Sequence, residues 1–98
     1  MWYSSFMIHI EGHAIWKDGE KIGYIEGEKI YSREARKLGW ISKNHIYNYH
    51  GKKVAWVEKN HIEMEDGKRI ELDDIHEYVE GGAISDVLRT AVYLFLNN

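Results

Sequence analysis

One phrase recurs in this chain at a fixed interval of 16 residues. Lys29-Ile30-Tyr31, a turn and Lys37-Leu38-Gly39-Trp40-Ile41 are followed by His45-Ile46-Tyr47, a turn and Lys53-Val54-Ala55-Trp56-Val57. One interval earlier stand His13-Ala14-Ile15 and Lys21-Ile22-Gly23-Tyr24-Ile25, and one interval later His61-Ile62-Glu63 and Arg69-Ile70-Glu71-Leu72. Four copies at one period define a repeat architecture, in which each unit buries its apolar face against its neighbours. A period of this kind constrains architecture far more than chemistry.

The chain is long enough for one small domain, residues 1–98, and its 44% hydrophobic and 30% charged content is that of a folded protein. A formal net charge of −3 argues against a protein that coats nucleic acid over its whole surface, and leaves room for a local basic patch. Without cysteine there is no disulfide framework and no thiolate chemistry. Met1 to Phe6 lack the basic flank and long apolar run of a signal peptide. The longest apolar run, Ala91 to Leu96, is too short to cross a bilayer. The expected location is cytoplasmic, and no membrane partner is expected.

Phe6 to Ile10 reads as a strand that either pairs with the last repeat to close a ring or adds an edge. Each repeat then reads as a β-hairpin, with Asp18-Gly19, His50-Gly51 and Asp66-Gly67 as turn signals. The second copy has Glu34-Ala35 there, which predicts a different or wider turn. Pairing across the first turn sets Ile15 opposite Ile22, Ala14 opposite Gly23 and His13 opposite Tyr24. Ile30 and Ile46 face the small Gly39 and Ala55, so another element approaches the backbone there. Apolar residues on both faces suit four hairpins converging on one centre better than a flat sheet.

Beyond the repeats, assigned to residues 6–73, Asp73 reads as the N-cap of a short helix over 74–80, stopped by Gly81-Gly82. A second helix spans 85–96, with Ser85 as its cap and Ile84, Val87, Leu88, Ala91, Val92 and Phe95 on one face. Tyr93, Leu94 and Leu96 widen that stripe, which predicts a homo-oligomer joined through Val87, Leu88, Ala91, Val92, Leu94 and Phe95. The expected fold class is mainly β: four tandem hairpin repeats around a pseudo-four-fold centre, then a short helix and a C-terminal amphipathic helix.

Ile15, Gly23-Tyr24-Ile25, Ile30-Tyr31, Leu38-Gly39-Trp40, Ile46-Tyr47, Gly51 and Val54-Ala55-Trp56 together resemble the four-fold β-flower domain, in order and in spacing. The resemblance runs from Glu11 to Arg69 and departs at the second turn, in the fourth copy and in the C-terminal helix. It implies the fold and carries no chemistry.

His13, His45 and His61 share one repeat position, with Lys29 in the fourth slot. Under rotation three imidazoles could hold a metal ion, which with Glu58 would make a metal-dependent hydrolase or nuclease. Against this, each His has a cross-strand neighbour to stack on, and a lysine in the ring opposes a metal. A second set is cationic. Lys21, Arg36, Lys37, Lys52, Lys53, Lys68 and Arg69 fill seven of the eight places in two repeat positions, Glu20 being the exception. On one rim they would hold an anionic ligand, although Lys and Arg at strand ends also serve to keep an edge soluble. Trp16, Trp40, Tyr49 and Trp56 offer rings on which single-stranded nucleic acid could stack, or simply core. No phosphate-binding glycine loop, zinc-protease spacing or nucleophile elbow is present in the sequence. The expectation is a non-enzymatic binding module without a cofactor.

Overall fold

The computed structural model describes residues 8–97. Nine strands run as one antiparallel meander: β1 (Ile8–Glu11), β2 (Ala14–Lys17), β3 (Glu20–Glu26), β4 (Lys29–Ser32), β5 (Lys37–Ser42), β6 (His45–Asn48), β7 (Lys53–Glu58), β8 (His61–Met64) and β9 (Arg69–Glu71). Helix α1 (Leu72–Tyr78) follows, then β10 (Val79–Gly81) and helix α2 (Asp86–Leu96). β10 lies parallel to β1, so the ten-stranded sheet has β10 and β9 as its edges. The part of the expected Phe6–Ile10 strand that falls within the described residues neither pairs with the last repeat nor forms an edge. It is flanked by β2 and by a strand the sequence did not announce.

Two kinds of turn alternate along the meander. At one end Gly12-His13, Gly27-Glu28, Lys43-Asn44 and Lys59-Asn60 are two-residue connections between repeats, with Lys43 (φ 58°) and Lys59 (φ 53°) in the conformation that Gly12 and Gly27 adopt. At the other end lie the turns within the repeats. There the second, third and fourth copies are alike. Ser32, Asn48 and Met64 donate their N–H groups to the carbonyls of Arg36, Lys52 and Lys68 at 2.9, 2.9 and 2.8 Å. Ala35 takes the left-handed φ of 68° that Gly51 and Gly67 take at 86° and 92°. The second turn is therefore not of a different type. Ser32 Oγ, which accepts the N–H groups of Glu34 and Arg36, helps to hold an alanine where glycine would be easier.

The odd copy is the first. Asp18-Gly19 closes a two-residue turn, one residue shorter than the others, and this moves the register. Ile15 pairs with Gly23 and Ala14 with Tyr24, correcting the pairing of Ile15 with Ile22 and of His13 with Tyr24. In β3, β5 and β7 a bulge adds one residue, Ile22, Leu38 or Val54, just after the turn within the repeat. The fourth copy lacks the bulge, and Ile70 pairs directly with Ile62.

With the register known, the core reads as four equivalent pairs across the short turns: Ile10 with Ile15, Ile25 with Ile30, Ile41 with Ile46, and Val57 with Ile62. All but Val57 are buried, and all belong to one core that also holds Val87, Leu88, Ala91 and Val92 of α2. Each buried isoleucine contributes about 1.5–3 kcal/mol of transfer free energy. α2 touches β4, β5 and β6 as well as β10. Those strands would be about 25 Å apart in a flat sheet, so the sheet must curl round the helix. α1 packs on both β9 and β10 and closes the seam between the two edges.

Small residues make room for α2. A side chain at Gly39 would run into the Phe95 ring and the Tyr47 carbonyl, and one at Gly23 into the Tyr31 carbonyl with Leu96 Cδ1 at 3.3 Å. The element that approaches Gly39 is thus the C-terminal helix itself. Ser85 caps it, accepting the Leu88 N–H at 3.2 Å. Arg89, 7% exposed, donates to the carbonyls of Val79 (3.1 Å), Gly81 (2.8 Å) and Gly82 (3.3 Å) and so pins β10 to α2. Asp73 is not a cap: α1 starts at Leu72 after Glu71, which makes no side-chain capping bond. Nor do Gly81-Gly82 end that helix, which stops at Tyr78. They let β10 lie against β1, where a side chain on Gly82 would strike Ile10.

The turn geometry yields a stability prediction. Ala35→Gly should stabilise the protein by about 0.5–1 kcal/mol, because it removes a left-handed alanine. In thermal unfolding this appears as a rise of about 4 °C for a domain of this size. An unchanged or lower midpoint would contradict the turn described.

Candidate functional site

The outer face of the sheet carries side chains that the core does not use, and the register arranges them in four rows. These are His9, Trp16 and Lys21; Tyr24, Tyr31 and Lys37; Trp40, Tyr47 and Lys53; and Trp56, Glu63 and Arg69. Each row crosses three adjacent strands and ends on a cation. Tyr24 stacks on Tyr31 with centroids 5.1 Å apart and planes 7° from parallel, and Trp40 on Tyr47 at 5.7 Å and 13°. The rows are joined end to end, because the lysine closing each row lies over the first ring of the next. Lys21 is 5.7 Å from the Tyr24 centroid, Lys37 5.0 Å from Trp40 and Lys53 4.9 Å from Trp56. The result is a ladder of rings and ammonium groups across the outer face.

The bulge creates this contact. By adding a residue after the turn within the repeat, it brings the lysine onto the same side as the ring three residues later. In this ladder Tyr24 and Tyr31, and Trp40 and Tyr47, cover one face of each other, lysines lie over Tyr24, Trp40 and Trp56, and the stacked rings present their edges beside the ammonium groups. Those edges are the positive part of the aromatic quadrupole.

All four turns within the repeats lie at one end of the curled sheet. The segments 17–21, 33–37, 49–53 and 65–69 hold nine of the thirteen Lys and Arg residues and only five of the sixteen carboxylates. This end is net positive by four in a chain that is net negative. Lys21, Arg36, Lys37, Lys52, Lys53, Lys68 and Arg69 are all exposed on it. Some are already paired: Lys52 with Glu65 at 2.9 Å, Lys68 with Asp66 at 3.9 Å, Arg69 with Glu63 at 3.4 Å, and Arg33 with Glu20 at 3.0 Å. Lys17, Lys21, Arg36, Lys37 and Lys53 have no carboxylate partner among the described residues.

The histidines are not brought together. The shortened first turn puts Ala14, not His13, at the position of Lys29, His45 and His61. His45 pairs across strands with Trp56 and meets Tyr47 edge-on, while His61 Nε2 lies 2.8 Å from Glu63 Oε2. Among the described residues no group of three His, Cys, Asp or Glu side chains could hold a metal ion. The apolar stripe of α2 is also accounted for within the chain. Val87, Leu88, Ala91 and Val92 are buried in it, and Leu94 and Phe95 pack partly buried against the core.

Glu63 stands where the second and third rows have tyrosine. The hydrogen bond with His61, helped by Arg69, holds its carboxyl below the usual carboxylate range. Arg33 does the same for Glu34 at the second turn. Neither pairing was legible from sequence, since His61 and Glu63 are two residues apart and Arg69 joins them only across β8 and β9. The signal available was the break in the aromatic pattern.

The family described as 4-fold beta flower protein matches residues 4–75. The match covers well over half of the chain, and the chain belongs to that family. It ends inside α1, so β10 and α2 lie outside the matched span. No curated protein and no solved structure matches the chain. No helix among the described residues is long and apolar enough to cross a membrane.

A carboxyl with a lowered folded-state pKa adds stability above its unfolded pKa and loses it as the pH falls through the folded value. For Glu63 that loss begins below about pH 4.3, the ordinary glutamate value. Glu63→Gln should therefore show a smaller drop in melting temperature than the parent chain between about pH 5 and pH 3. Equal drops would remove the pairing from the account.

Proposed function

We propose that the protein is a non-enzymatic binding module of the cytoplasm that holds an anionic partner on its cationic rim and on the adjoining ladder. The observation that carries this reading is the recurrence of Lys21, Lys37 and Lys53 at one structural position, each set over an aromatic ring and each without a carboxylate partner. Arg69 ends the fourth row. Lysines fixed over rings lose less conformational entropy on binding than free ones, and a row of them offers a periodic array of point charges.

The stacking also narrows the partner. Stacking of Tyr24 on Tyr31 and of Trp40 on Tyr47, with lysines over Tyr24, Trp40 and Trp56, takes up ring face that nucleic-acid bases would need. The positive ring edges, the ammonium groups and the tyrosine hydroxyls all favour anionic oxygen: phosphate, sulfate or carboxylate. Recognition would then depend on charge spacing and not on base identity.

Heparin and inorganic polyphosphate are suitable probes. Binding should weaken with salt, with a slope that reports the charges neutralised. Replacing Lys21, Lys37 and Lys53 together by Gln should leave the fold intact, reduce that slope by about three and weaken binding by at least about tenfold at low salt. Absent or salt-insensitive binding would end this reading.

A further inference from the structure

The end of the sheet opposite the rim carries the opposite charge. It comprises the short turns at residues 11–14, 26–29, 42–45 and 58–61. The chain from 71 to 74 joins them, since Glu71 pairs with His61 and the Leu72 N–H donates to the Asn60 carbonyl. These segments hold seven carboxylates and three lysines, a net charge of −4 where the rim has +4. None of the seven carboxylates has a cationic partner among the described residues. The strands hold the two ends about 15–20 Å apart, beyond the screening length at physiological salt, so the two sets of charges meet only between molecules.

The acidic end also contains a cleft. β10 lies parallel to β1 with Gly81 opposite Ile10, so the residues that follow reach the first short turn. There Ala83, Ile84 and Leu88, with Gly12 and Gly27, line a cavity of about 470 Å³ whose walls are mostly apolar. Glu11, Glu26 and Glu28 flank those two glycines in the chain and are exposed. The rim carries a matching projection. Tyr49, on the turn within the third repeat, is 63% exposed, the most exposed large apolar side chain among the described residues, and rests against His50 with ring centroids 4.0 Å apart. A cavity of this size takes a phenol ring. An aromatic anchor among cations and an apolar cleft among carboxylates are the two halves of a protein interface, with its apolar centre and polar surround.

Resting on the anionic-partner reading above, we infer that the partner is the acidic end of a second copy, so that chains stack head to tail with Tyr49 of one copy seated in the cleft of the next. The two surfaces differ and lie at opposite ends of the molecule. Each contact therefore leaves one free rim and one free cleft, and the assembly grows as an open row instead of closing as a two-fold dimer. The apolar stripe of α2 takes no part, because it stays in the core of its own chain.

The test is the mass in solution, by light scattering, of the intact chain and of two variants that each block one end. At low salt the parent's mass should rise with protein concentration past two 11.6 kDa chains, and it should fall to one chain in about 0.5 M salt, where the screening length is a few ångströms. Tyr49→Ser with Lys53→Gln blocks the rim. Ala83→Trp, at an exposed position, fills the cleft and leaves the rim untouched. Each variant alone should be folded by circular dichroism and monomeric. Their equimolar mixture should reach two chains and stop there, because one good contact remains and nothing can extend it. A parent that stays at one chain, a parent that closes as a dimer of fixed mass, or a mixture that stays at one chain or grows past two overturns the inference. Heparin binding separates this outcome from failure of the anionic-partner reading. Ala83→Trp, with its rim free, should bind heparin. If it binds while any of those results is found, the head-to-tail partner alone is wrong; if it does not bind, the reading falls and the inference with it.

Discussion

At Gly39 the sheet backbone and the Phe95 ring are so close that no side chain could stand between them. At Gly23 the approach is looser, with Leu96 Cδ1 3.3 Å from where a Cβ would stand, and Ala55 is fully buried at the equivalent place. These three residues let α2 lie inside the curl of the sheet, where it completes a core that short strands alone could not fill. A helix inside requires curvature, and curvature requires that each strand present isoleucine inward and leave its other face outward. The aromatic ladder and the cationic rim follow from that division. They are what remains of a tightly alternating strand once one face has been committed to the helix.

The bulges connect the core to the surface. An extra residue after the turn within the repeat lets Ile22, Leu38 and Val54 pack against the core while the preceding lysine remains outside, over a ring. Without the bulge, strict alternation would put the lysine and the ring three residues later on opposite faces. The fourth copy illustrates this. It lacks the bulge, Ile70 pairs inward with Ile62, and Arg69 binds a carboxylate, Glu63, in place of a ring.

Much of this was legible in the sequence, because period and side-chain type report the same constraint. The four copies, the meaning of Gly39 and Ala55, the Ser85 cap and the amphipathic C-terminal helix could all be read from residue order. What could not be read depended on single residues. One missing residue at Asp18-Gly19 shifts the first copy, removes His13 from the histidine set and repairs Ile15 with Gly23. Ala35 takes a conformation that residue type argues against, held by Ser32 and by hydrogen bonds shared with two glycine turns. β10 is three residues long and owes its place to pairing with β1 and to Arg89, neither of which leaves a periodic trace. The seven rim cations were visible as a repeat. That three of them cap aromatic rings was not, because it arises from the bulge.

The central claim is that α2 and the curled sheet form one cooperative unit, the helix being the core that the repeats enclose. Native-state hydrogen exchange measures this directly, since amides that open only on global unfolding share one opening free energy. The account predicts the same free energy for Ala91 and Val92 in α2 as for Ile30, Gly39 and Ile46 in the sheet. If the helix amides exchange through a cheaper opening while the strands stay protected, the helix is an appendage and the core has been assigned wrongly.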